Sequence, residues 1–166
     1  MENENINEEK VVEEETKKLV GLGGWMIFMI VRFSISLLTY LKTIFNTIKM
    51  HMNGEMDILQ DNGMSEYIPN LTFIINVELI SNICMFVFTI IVLCLIFNKK
   101  RIAPRIVIIQ VIVVQVIIIL DLIAANSIIG GTFNNQAPRL FGNLIGSILI
   151  IAYFLESKRV KNTFVK

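Results

Sequence analysis

Four stretches of the chain are apolar for long enough to cross a bilayer, and what lies between them is short and polar. A helix needs roughly 17–25 apolar residues to span the hydrocarbon. The stretches at about residues 22–44, 71–97, 104–127 and 138–156 each reach that length. The run from Ile106 to Leu120 is rich in β-branched residues, but it is too long for an ordinary strand and has no period-two alternation. It reads as a helix in lipid. Pro104 and Pro138 fall where the third and fourth spans begin, and proline is tolerated in a first turn because its missing N–H would have had no helical partner. Gly130-Gly131, followed by Asn134-Asn135, predicts a short turn between those spans. The pattern predicts an all-α integral membrane protein, a four-helix transmembrane bundle over residues 21–166 behind an acidic tail at 1–20.

Composition narrows the class. Of 166 residues 54% are hydrophobic and 17% charged, with a mean hydropathy of +0.66. A soluble globular domain carries roughly 25% charged residues. Soluble enzymes, disordered proteins and disulfide-stapled secreted domains are excluded, and a net charge of +1 gives no reason to expect nucleic acid. The 30 isoleucines against five alanines suggest an AT-rich bacterial genome. Seven of the 14 acids lie in the first 15 residues, so the leading segment has no apolar core and no signal peptide is expected. The first span would then be an uncleaved anchor. Glu13 before Lys17 and Glu14 before Lys18 are in the favourable i,i+4 order for a helix in the tail. Cys84 and Cys94 are ten residues apart on one span and cannot pair.

Basic residues set the expected orientation. Lys10, Lys17 and Lys18 precede the first span; Lys99, Lys100, Arg101 and Arg105 surround the second connection; Lys158, Arg159, Lys161 and Lys166 follow the fourth span. The other side has Lys42, Lys49 and Arg139. Both termini are expected in the cytoplasm of a bacterial cell, with loops at about 45–70 and 128–137 outside the cytoplasmic membrane. In the first loop, Asn53-Gly54 and Asn62-Gly63 bracket a short interfacial helix.

Polar residues inside the spans are where function would reside. At about 1.5 Å rise per residue, Asn82 and Asp121 lie about 24 Å from the inner surface and Glu78 about 30 Å. The fourth span begins outside, so Arg139 and Asn143 share that layer. Glu78 with Asn82, and Arg139 with Asn143, are i,i+4 pairs on one face. Three readings follow: a ligand or proton site, a structural ion pair centred on Arg139, or a Glu78 that reaches interfacial water. Two carboxylates against one guanidinium leave one charge over, which keeps the first open. Arg32 lies about 10 Å in from Trp25, near the level of Gln110, Tyr153 and Glu156, or it snorkels to the near surface. Gly142 and Gly146 form a small-x-x-x-small face for packing within the bundle or for a homodimer. Met50, His51, Met52 and Met56 carry soft ligands that would suit Cu(I), but His51 is the only histidine and methionine is equally at home as the apolar side of an interfacial helix, so neither metal nor cofactor is expected. HExxH, CxxC, GxSxG and P-loop motifs are absent from the sequence, and an enzyme is not expected.

Both ends carry motifs. Gly21-Leu22-Gly23-Gly24-Trp25 resembles the GxGGWL opening of the bacterial domain of unknown function 2569 family. The segment from Tyr153 to Phe164 resembles that family's closing signature, YFxxSxRVKxTF, through Ser157, Arg159, Val160, Lys161, Thr163 and Phe164. Met26 stands where the family usually has leucine. The resemblance implies a small four-helix inner-membrane protein and supplies no reaction. Read physically, Trp25 and Lys158, Arg159 and Lys161 belong at the headgroup layer. A sharper reading makes Arg159 and Phe164 a cytoplasmic docking surface, covered in turn by the acidic tail. The expected role is a non-enzymatic accessory or regulatory subunit that works by association with a membrane-protein partner or a second copy, in contact with the lipid bilayer. The alternative is a small proton-coupled transporter using Glu78, Asp121 and Arg139.

Overall fold

The computed structural model describes residues 21, 23–60, 63, 70–129 and 132–165. The acidic tail, and with it the reading that it covers the C-terminal motif, lies outside them, as do Gly130-Gly131 and Asn62. Six helices follow in chain order: α1 (Trp25–Met52), α2 (Glu55–Gln60), α3 (Leu71–Phe97), α4 (Ala103–Ile129), α5 (Thr132–Glu156) and α6 (Lys158–Thr163). Among the described residues there is no strand. Four of the helices are long and apolar enough to cross a membrane.

The helix limits depart from the expected spans where polar sequence continues the helix beyond the lipid. α1 runs past Ile44 to Met52, making it about 42 Å long at about 1.5 Å per residue, more than the roughly 30 Å of hydrocarbon. Apolarity tells where lipid ends, and the helix has no reason to end there. α5 begins at Thr132, so Pro138 sits inside the helix and Asn134-Asn135 are helical rather than a turn. Pro138 withholds only the bond to Asn134, in the polar first turns where water can satisfy a freed carbonyl. Pro104 lies in the first turn of α4, where it withholds nothing.

The α3–α4 connection is tight without a glycine. Lys100 N–H donates to Leu95 O (3.1 Å) and Lys99 N–H to Ile96 O (3.0 Å), the paired bonds of a Schellman cap. Lys99 takes the left-handed conformation at φ 52° to make them.

The long helices form two antiparallel hairpins, α1 on α3 and α4 on α5, joined through α3 and α4. Their burial is uneven. Met26, Met29 and Phe33 of α1 meet Val92, Leu93 and Ile96 of α3, Val107 and Val111 of α4, and Ile150 and Phe154 of α5. Val160 and Phe164, at and just beyond α6, close this core from below. All of these residues lie in the half of the bundle that carries the terminal motifs, here the motif half. Beyond Phe33, α1 buries nothing. Around the outside, Leu38, Phe45, Phe73, Ile145 and Ile148 are exposed as lipid-facing residues should be.

Candidate functional site

At the motif end the two sequence signatures meet. Gly21 N–H donates to Thr163 Oγ1 (3.0 Å), and Thr163 Oγ1 donates back to Gly21 O (3.3 Å) across 142 residues of chain. Ser157 caps α6 by accepting Val160 N–H (3.4 Å). This turn sends Val160, Thr163 and Phe164 inward on one face and leaves Lys161 outside. The Arg159 guanidinium lies over Gly23 and Gly24. A methyl group on Gly23 would collide with its Nη1, and one on Gly24 would sit 3.7 Å from it. Gly24 caps α1 at φ 61°, ψ −133°, a conformation open to glycine alone. Phe164 is 5% exposed. The expected docking surface is therefore corrected at Phe164, which belongs to the core because α6 folds back under the bundle, while the half-buried Arg159 lies against the glycines.

At the opposite, loop end the bundle opens. Glu78 of α3, Asp121 of α4, and Gln136, Arg139 and Asn143 of α5 line a single cavity of about 430 Å³, floored by Ile118, Leu122 and Leu140. Four of the five expected polar residues converge there. The fifth, Asn82, turns away and donates to the Glu78 backbone carbonyl (2.9 Å). Glu78, Asp121 and Arg139 are exposed to this mouth, and among the described residues none forms an ion pair. The expected counter-ion lock on Arg139 is thus not formed. Glu78 lies about 10 Å along the helix from Leu71, and Asp121 about 9 Å from Ser127, so the cavity reaches about that far in from the loop end.

Between the two ends runs a series of buried amides and hydroxyls. Thr89 donates to Met85 O (2.7 Å) and accepts from Gln110 Nε2 (2.6 Å), tying α3 to α4. Gln115 Nε2 donates to Ser147 Oγ (2.7 Å) and at 3.5 Å to Asn143 O, tying α4 to α5 just below the cavity. Arg32 enters from α1, sharing a slot with Ser36, Tyr40, Gln110 and Ser147. Of its expected neighbours only Gln110 is there; Glu156 is exposed elsewhere, and the Tyr153 hydroxyl is buried without a partner. Gly146 faces Arg32, whereas nothing approaches Gly142, so the small-residue face is divided between two environments.

His51 bonds Asn76 (2.9 Å) and Thr47 O (2.9 Å) through its two ring nitrogens, and Met56 of α2 is buried. The His51–Asn76 bond ties the loop end of α1 to α3, and buried Met56 seats the short helix against them. Sequence reasoning missed the Gln115–Ser147 tie and the part played by Gln136. A glutamine amid the apolar residues of Ile106–Leu120 was the available signal, since its amide must find a partner inside the bundle.

The fold and these sites define a small multi-pass helical membrane protein. Residues 19–165 match the family described as "Protein of unknown function (DUF2569)", and the chain belongs to that family. No curated protein and no solved structure matches it.

Proposed function

We propose that this is a non-enzymatic membrane protein that binds a small zwitterionic solute in the loop-end cavity, as the binding step of proton-coupled transport. One observation carries the reading: Glu78, Asp121 and Arg139 face the same cavity of about 430 Å³ and are not spent on one another. A cavity of roughly 300–1,000 Å³ with a few convergent polar groups suits a small molecule. The guanidinium presents paired donors to a carboxylate, and the carboxylates suit an ammonium. The second carboxylate is left for a proton, since like charges in one site disfavour joint ionisation. By the basic-residue asymmetry, this cavity opens to the outside of a bacterial cell. The association reading uses the polar outer layer and the cytoplasmic motif as contact surfaces, and it has less support at the motif, where Phe164 is buried in the core.

The test uses the full chain in detergent and then in proteoliposomes. Thermal unfolding is followed with a panel of amino acids, betaines and diamines. A ligand at about 100 times its Kd stabilises by about 2.7 kcal/mol, a shift of several degrees. We expect one zwitterionic class to raise the midpoint, and Glu78→Gln, Asp121→Asn and Arg139→Gln each to abolish that shift. The same solute should acidify the lumen when it enters wild-type vesicles and not Glu78→Gln or Asp121→Asn vesicles. Shifts that persist in all three variants, or none for any zwitterion, would sink the reading.

A further inference from the structure

We propose that the slot around Arg32 is a binding site for a small monovalent anion of the halide class. The inference is independent of what the loop-end cavity binds.

The direction of the side chain comes first. Helical side chains lean toward the helix N-terminus, and for Arg32 that route leads to the motif-end surface, about 10 Å away at Trp25. Arg32 takes the other direction. Its Nη1 lies 3.9 Å from where a methyl group on Gly146 would be, and Gly146 is about 15 Å up α5 from Glu156. Ser36 and Tyr40, which wall the slot, stand one and two turns further from Trp25 than Arg32 itself. Snorkelling to the near surface, an expectation from the sequence, is therefore not what the side chain does. It carries its charge toward the middle of the bundle.

Nothing in the slot neutralises that charge. The slot is lined by Arg32, Ser36, Tyr40, Gln110, Ser147 and apolar side chains, with no acid. Among the described residues Arg32 forms no ion pair.

Hydrogen-bond accounting then fixes which groups are available. Thr89 gives its proton to Met85 O, so its oxygen can only accept, and the group it meets at 2.6 Å must be the Gln110 amide nitrogen. That leaves Gln110 Oε1, buried and without a partner, an acceptor suited to one guanidinium N–H. Ser36 has committed its proton to Arg32 O (3.0 Å). Ser147 accepts from Gln115, so its own proton remains to be donated. The Tyr40 hydroxyl is likewise available to donate. The guanidinium N–H groups, Ser147 O–H and Tyr40 O–H make a donor-rich, positively charged lining, whose complement is an anion. The cavity measures about 40 Å³. This exceeds the about 10–15 Å³ that one water needs, and it suits a monatomic anion rather than a lipid headgroup.

The experiment is ³⁵Cl NMR line broadening on the full chain in nanodiscs of neutral lipid, with sodium chloride as the probe. Folded wild-type protein should give saturable excess broadening. Arg32→Gln should weaken binding at least about tenfold, by loss of charge-assisted bonds, and Ser147→Ala by about threefold to tenfold. Arg139→Gln should leave it unchanged. No saturable broadening from folded wild-type protein would mean the slot takes water only and would overturn the proposal. Broadening that survives Arg32→Gln but is lost in Arg139→Gln would also overturn it, by placing the ion in the larger cavity. Should Arg32→Gln fail to fold, Ser147→Ala and Tyr40→Phe decide, and wild-type broadening in both would overturn it.

Discussion

The two halves of this bundle solve the same membrane problem in opposite ways. In the motif half, α1, α3, α4, α5 and α6 close on a dry core, and Met26, Met29, Val92, Ile96 and Val107 are at most marginally exposed. In the loop half the helices part around a cavity and leave Glu78, Asp121 and Arg139 exposed at its mouth. Lipid tails are as apolar as a leucine side chain, so hydrophobicity does not distinguish these arrangements. Close packing does. Gly23 and Gly24 admit Arg159, and Val160 and Phe164 plug the base, whereas no comparable small-residue contact holds α1 to α5 above Gly146. Close packing is thus concentrated at the signatures, which frees the other half to hold charges that weaken a fold.

A matched pair of substitutions should break the symmetry most visibly. Val107 is fully buried in the motif half, and Ile118, about three turns further along the same face of α4, lines the cavity. In Val107→Asn the amide has no partner among aliphatic neighbours, and we expect a loss of about 2–4 kcal/mol. In Ile118→Asn the same amide can reach water in the mouth, and the loss should stay within about 1 kcal/mol. Reversible unfolding in mixed detergent micelles measures both. Equal losses would mean that the cavity is as dry as the core.

How much of this was legible beforehand depends on what each feature rests on. The limits of α3, Leu71 and Phe97, follow from composition because polar residues flank the apolar run at both ends. That Glu78, Asp121, Arg139 and Asn143 share one layer follows from helical rise, which fixes depth. Whether those charges pair was not legible, since lateral separation depends on how far the hairpins splay. Arg32 shows the same limit: its depth can be counted, its direction cannot. Phe164 was misread because Lys158, Arg159 and Lys161 around it look like a solvated surface. The spacing of Val160, Thr163 and Phe164, at i, i+3 and i+4, was a signal for one buried face. The turn at Lys99 gave no signal, as its left-handed residue is a lysine where glycine is usual.

Glycines provide the next comparison, with effects of opposite sign. Gly24→Ala places a methyl group on a backbone at φ 61°, ψ −133° and should cost about 1–3 kcal/mol. Gly142 is helical and nothing lies within 4 Å of its would-be methyl group, so Gly142→Ala should stabilise by about 0.5–1 kcal/mol. Destabilisation by Gly142→Ala would reveal a partner seated on that face, and cross-linking of a homodimer would then be the check. Thr163→Val removes both bonds to Gly21 and should cost about 1 kcal/mol. Its clearest readout is faster amide exchange at Gly21 with unchanged exchange in α4.

The smallest expected effect sits at the boundary between the halves. Gln110 is 2% exposed, with one good bond to Thr89 and one buried oxygen that has no partner. Gln110→Leu removes the bond, worth about 1 kcal/mol, together with the unmet acceptor, whose burial costs about 1–3 kcal/mol. Thr89 keeps its proton on Met85 O in the variant, so no new donor is stranded. The two changes offset, and stability should move by less than about 1 kcal/mol in either direction. A loss well above that would mean that Gln110 Oε1 is satisfied in the membrane, by the Arg32 guanidinium or by water held in the slot. The boundary would then belong to the wet half, and the dry core would end at Val107 rather than at Val111.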